Sequence, residues 1–133
     1  MDEFPVMRQV VLDATDVRGL AEFYRQLLGL AYRPGDEPAE PDELDWLVLR
    51  NDAGPQLAFQ QTDEQARPTW PDPAVPQQLH LDLTVSTKAV LDAEHERVLG
   101  LGGTLLLDRS DDEEEPLRVY ADPAGHPFCI FVG

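Results

Sequence analysis

The chain has 133 residues, of which 42% are hydrophobic, enough for one folded domain with a real core and too few for two ordinary ones. Its formal net charge is −16, which predicts repulsion from nucleic-acid backbones and anionic membrane surfaces and excludes both as expected partners. No apolar run approaches the roughly 18 residues of a membrane span, the opening Met1-Asp2-Glu3-Phe4-Pro5 lacks a leader pattern, and the single Cys129 has no internal disulfide partner, so the expected location is the reducing cytoplasm.

In chain order, Val6 to Ala14 reads as a strand, being apolar and β-branched. Asp16 is placed to cap a helix in which Leu20, Phe23, Tyr24, Leu27 and Leu28 recur on one face, and Gly29 stands where a left-handed cap is wanted. Leu30 to Tyr32, Trp46 to Arg50 and Gln56 to Gln61 read as three strands, punctuated by Pro34-Gly35 and Asn51-Asp52-Ala53-Gly54. Arg67 to Pro76 holds four prolines in ten residues, which predicts a semi-rigid, extended connection. The pattern then repeats. Gln78 to Val85 reads as a strand, Thr87 as a cap, and Val90, Leu91, Val98 and Leu99 as the apolar residues of a helix that Gly100 ends. Gly103 to Leu107, Leu117 to Ala121 and Phe128 to Val132 read as strands, and the acidic Asp108 to Glu115 as a solvated hairpin loop.

A shift of 71 residues superposes the halves. It carries Asp16 to Thr87, Leu27-Leu28-Gly29-Leu30 to Val98-Leu99-Gly100-Leu101, and Asn51-Asp52-Ala53-Gly54 to Asp122-Pro123-Ala124-Gly125. Three landmarks in one register imply an internal duplication. The expected fold is α+β, one domain over 1–133 built of two tandem βαβββ modules, at about 5–62 and 78–133, joined by the connection at about 63–77.

Phe23-Tyr24 with Leu27-Leu28-Gly29-Leu30, the stretch Leu79-His80-Leu81-Asp82-Leu83, and the ending Asp122-Pro123-Ala124-Gly125-His126-Pro127-Phe128 carry a family resemblance. The chain resembles the vicinal oxygen chelate superfamily, which includes glyoxalases, bleomycin-resistance proteins and extradiol dioxygenases. The resemblance implies a curved mixed β-sheet cleft formed by the two modules. It also implies a homodimer, and in the enzymes of the family a divalent metal held by His or Glu on the first and last strands of each module. The corresponding positions here are Gln9, Ala58, His80 and Cys129. Ala58 has no donor and Gln9 only a neutral one, so the usual four-ligand set is not expected, and His80 is the metal ligand if any is. Asp82 shares a strand face with His80, and Gln60 with Ala58, by the period of two.

The expected ligand-contacting residues are thus Gln9, Ala58, Gln60, His80, Asp82, Tyr120 and Cys129, with His80 and Cys129 as catalytic candidates. Several readings stay open. His80 is either a hydrogen-bonded cleft histidine or a ligand to a metal or substrate. Cys129 is either an inert buried thiol or a nucleophile with His80 as base. Trp70 reads as structural packing. The function the residues favour is binding of a small molecule without the four-ligand metal. The alternatives are a metal-dependent lyase, isomerase or dioxygenase using His80, and a non-catalytic dimeric regulatory module.

Overall fold

Alternation along the strands decides which side chains meet the helices. In the computed structural model, which describes residues 3–133, the chain divides after Gln65 into two compact units. The first contains β1 (Gln9–Ala14), α1 (Val17–Leu28), β2 (Ala31–Tyr32), β3 (Trp46–Arg50) and β4 (Gln56–Gln61). The second contains β5 (Leu81–Val85), α2 (Lys88–Leu101), β6 (Thr104–Arg109), β7 (Leu117–Ala121) and β8 (Pro127–Val132). Each is a βαβββ module with a four-stranded mixed sheet, in the order β1-β4-β3-β2 or β5-β8-β7-β6. In both, the first and last strands pair in parallel, which needs the helix as a crossover.

The ladders obey the 71-residue shift. Val10 pairs with Leu57 and Leu81 with Phe128; Trp46 pairs with Gln60 and Leu117 with Phe131. The final turns match too. The Asn51 carboxamide accepts a hydrogen bond from the Ala53 amide at 3.0 Å, and the Asp122 carboxylate accepts from the Ala124 and His126 amides at 2.9 and 3.0 Å. Asp122 is fully buried, so these donors stand in for lost water.

The helices pack differently. Asp16 caps α1 through the Gly19 amide, and α1 buries Val17, Leu20, Ala21, Phe23, Tyr24 and Leu27. Tyr24 stacks on Phe59 of β4 with ring centroids 5.9 Å apart. Each such apolar side chain contributes about 1.5–3 kcal/mol on burial. By contrast, α2 buries only Leu91 and Val98. Polar contacts complete its seat. His95 Nδ1 lies 2.9 Å from the Tyr120 hydroxyl, and the buried Arg118 donates to the Leu91 carbonyl and the Asp92 carboxylate. Arg118 Nε also lies 3.2 Å from Asp108 Oδ2, an ion-pair distance without hydrogen-bond alignment.

Several expected boundaries move. Val6 is outside β1, because β4 offers no ladder partner before Gln56, and Phe4, Val6 and Met7 stand exposed. Gln78 to His80 likewise precede β5, and Leu30 precedes β2. Strand β6 runs on to Arg109, two residues into the acidic stretch. The connection is not extended. Thr69 closes it into a loop, donating its amide to the Val75 carbonyl at 2.9 Å while its hydroxyl accepts the Val75 amide at 2.8 Å. Arg67 ties that loop to the turn before β8, within the second unit, through the Pro123 carbonyl at 2.8 Å.

The helix end also departs from the repeat. Helix α2 continues through Gly100 to Leu101 and is capped by Gly102, whose φ of 111° lets its amide reach the Leu99 and Val98 carbonyls. Three of the four residues Gly100-Leu101-Gly102-Gly103 are glycine, so the sequence offers more than one stop, and hydrogen bonding selects the later. Gly100→Ala is therefore expected to stabilise the protein by about 0.5–1 kcal/mol, since no heavy atom lies within 4 Å of the added methyl. Gly102→Ala is expected to destabilise it by about 1 kcal/mol or more, because of its positive φ. Chemical denaturation of both variants checks the pair; opposite signs would restore Gly100 as the helix end.

Candidate functional site

The register of the second sheet sorts its side chains into two faces. Phe128, Ile130, Arg118 and Tyr120 lie on the face toward α2, as the Arg118 and Tyr120 contacts with Leu91, Asp92 and His95 show. The opposite face carries Asp82 of β5, Pro127 and Cys129 of β8, Leu117 and Val119 of β7, and Leu107 and Arg109 of β6, each paired across the ladders. A pocket of about 240 Å³ lies on that face. Leu107, Leu117, Val119 and Pro127 give it an apolar floor. Trp70 and Gln77, brought over by the looped connection, wall it, and His80, Arg109 and Cys129 supply polar groups. Gln77 Oε1 itself is buried out of reach of solvent and has no hydrogen-bond partner.

At one edge of the pocket three candidates converge. His80 Nε2 lies 3.4 Å from Asp82 Oδ1, and donor atoms of His80, Asp82 and Cys129 all lie within 4.8 Å of one another. His80 and Asp82 are about half exposed, and Cys129 is half-buried. Burial pushes the Cys129 thiol up to about 11; the Asp82 negative charge adds to this, and so does the hydrogen bond from the thiol to the Asp82 carboxylate. This is the opposite of what a thiolate nucleophile needs.

The other expected site residues sit elsewhere. Tyr120 is fully buried on the helix side of its sheet, with its hydroxyl on His95 and its ring stacked on Phe128, so it does not face the pocket. Its register explains this: it is one residue from Val119, and neighbours on a strand point to opposite faces. In the first unit, Gln9, Ala58 and Gln60 share one face of their sheet, as expected. Ala58 has no exposed surface and lies between Val11 and Val48, Gln9 is half-buried, and Gln60 is exposed. Two of the four positions that the resemblance points to are thus an alanine and a carboxamide, and the four-ligand metal set does not fit this chain. Trp70, Gln77, Leu107 and Arg109 were not among the expected contacts. Leu107 and Arg109 follow from alternation once β6 is extended to Arg109; Trp70 and Gln77 depend on the fold of the connection, which no periodicity reports.

The thiol state has a direct consequence. At pH 7.5 the folded protein is expected to react with iodoacetamide roughly 300-fold more slowly than the unfolded chain, from the smaller thiolate fraction alone. The rate should rise steeply between about pH 9 and 11. A thiol that holds its proton more tightly when folded stabilises the fold fully below its unfolded value of about 8.5, and that stability fades as pH climbs toward 11. Equal labelling of folded and unfolded protein at pH 7.5 would contradict this assignment.

Comparison with known proteins agrees with this geometry. The family profile of the Glyoxalase-like domain matches residues 9–131. A glyoxalase/bleomycin resistance protein/dioxygenase family enzyme from Burkholderia phytofirmans PsJN superposes with a TM-score of 0.73 at 16% identity, covering 95% of this chain and 97% of that one. A hypothetical protein from S. aureus gives 0.68 at 18% identity with 97% of each chain covered, and lactoylglutathione lyase from Agrobacterium tumefaciens gives 0.61 at 20%, covering 96% and 93%. No curated protein sequence matches the chain. Among the described residues no helix is long and apolar enough to cross a membrane. With its duplicated βαβββ modules and the match across nearly its whole length, the chain belongs to the glyoxalase-like domain family of the vicinal oxygen chelate superfamily.

Proposed function

We propose that the protein binds a small organic molecule in the pocket of its second unit and does so without the four-ligand metal of its superfamily. The observation that carries this reading is the pocket itself: an apolar floor bordered by a few polar groups, His80, Arg109 and Cys129. That combination is typical of ligand sites, where apolar area supplies affinity and sparse polar groups fix orientation.

A fragment library followed by amide chemical shifts on ¹⁵N-labelled protein tests it. Bound fragments are expected to move the resonances of Gln77, His80, Leu107, Arg109 and Cys129 together, and Trp70→Ala is expected to weaken them by tenfold or more. A screen that yields no binder, or binders whose shifts map away from the β7–β8 face, would sink the reading.

A second reading is supported by the convergence of His80, Asp82 and Cys129. Nitrogen, oxygen and sulfur donors at this spacing suit zinc or iron, and a metal-dependent lyase, isomerase or dioxygenase would hold its ion there. Elemental analysis of protein purified without chelators separates the two. One equivalent of metal, lost in His80→Ala with the fold intact, establishes the second reading; less than a tenth of an equivalent leaves the first.

A further inference from the structure

The pocket is electrically polarised. Across the sheet, Asp82 occupies the β5 edge and Arg109 the β6 edge, about 14 Å apart at the usual strand spacing. Of the side chains that line the pocket, Arg109 alone carries a permanent charge, and it is positive. That is not what composition favours, since the chain has 26 acidic residues against 10 Lys and Arg. The diffuse negative field is screened over about 8 Å at physiological salt, whereas a guanidinium in direct contact with a ligand is not. Asp112 also lies near Arg109, but its carboxylate is held mainly by the Glu115 and Glu114 amides, and Arg109 is the weakest of its partners. The guanidinium therefore keeps donor capacity toward the pocket, and its planar fork matches a carboxylate.

Two further features narrow the ligand. Trp70 adds an aromatic ring to the pocket lining, which favours a flat ring in the ligand. The volume, about 240 Å³, falls below the roughly 300–1,000 Å³ of sites for drug-sized ligands, so one ring with a short arm fills it.

We propose that the pocket takes a monocyclic aromatic carboxylic acid, its carboxylate on Arg109 and its ring against Trp70. This rests on the small-molecule reading of the same pocket and specifies its ligand class.

Calorimetric titration with 4-hydroxyphenylacetate, 4-hydroxyphenylacetamide and tyramine tests the class, since the three share a ring and a phenol and differ in the charge of the arm. The acid is expected to bind at least tenfold tighter than the amide and tighter still than the amine. Arg109→Gln should abolish the preference for the acid over the amide, and Arg109→Lys should restore part of it. Arg109 is an exposed strand residue, and thermal unfolding of each variant confirms that it folds. Acid and amide binding alike, or an Arg109→Gln variant with undiminished affinity for the acid, would overturn the anionic class. Failure of all three probes also overturns it if the fragment screen still finds pocket binders; if that screen is empty too, the ligand-pocket reading falls with it.

Discussion

The parallel pairing of β5 with β8 places Asp82 directly beside Cys129, and the antiparallel pairing of β8 with β7 places Val119 beside the same cysteine. Those two registers fix the site. A slip of one residue in either ladder would turn the Cys129 thiol toward α2 and bring Phe128 to the pocket. The register is held because the opposite face cannot slip either. Phe128 stacks on Tyr120, Tyr120 meets His95, and Arg118 is bonded to α2 at two points. The helix side of the sheet is thus the reason the pocket side presents a consistent row of groups. This also explains why a module with so few buried apolar helix residues is still specific: directional bonds from Arg118 and His95 set the seat of α2 where shape alone would not.

The residues that repeat every 71 positions report backbone requirements, which is why so much of the architecture was legible. Asp16 and Thr87 both accept an amide at the start of a helix, and Asn51 and Asp122 both accept the amide two residues on in a turn. Such local bonds need only neighbouring residues, so sequence spacing exposes them. The face shared by His80 and Asp82 was legible for the same reason, since a period of two is local. Tyr120 was misplaced because its side was inferred without its partner strand; its alternation with Val119 was available, but which face met the helix was not. The pocket wall was illegible for a different reason. Trp70 reaches it only because Thr69 bonds to Val75 across six residues and Arg67 reaches Pro123 across 56, contacts between polar groups that leave no periodic trace.

The two modules have kept a common ladder and diverged on the face away from their helices. Asp82, Cys129 and Val119 of the second unit correspond, through the common shift, to Val11, Ala58 and Val48 of the first. The backbone pairs in the same way in both, so the scaffold tolerates either set and does not dictate the chemistry. In the first unit that face holds the buried Ala58 and Val48 beside the exposed Val11 and Gln60, and α1 on the other side buries six residues, its first turn tied to β4 by Gln61, whose Oε1 accepts the Val17 amide. In the second, a carboxylate, an imidazole, a thiol and a guanidinium occupy or border the same face, while polar bonds on the helix side supplement a smaller apolar core. Polar groups facing a cavity contribute little to stability and tend to oppose it. A duplicated fold can separate the two demands, since each copy has its own core and its own open face. A metal site shared equally by two copies requires donors from both, and at the matching positions the first copy offers only the Gln9 carboxamide and Ala58, which has no donor.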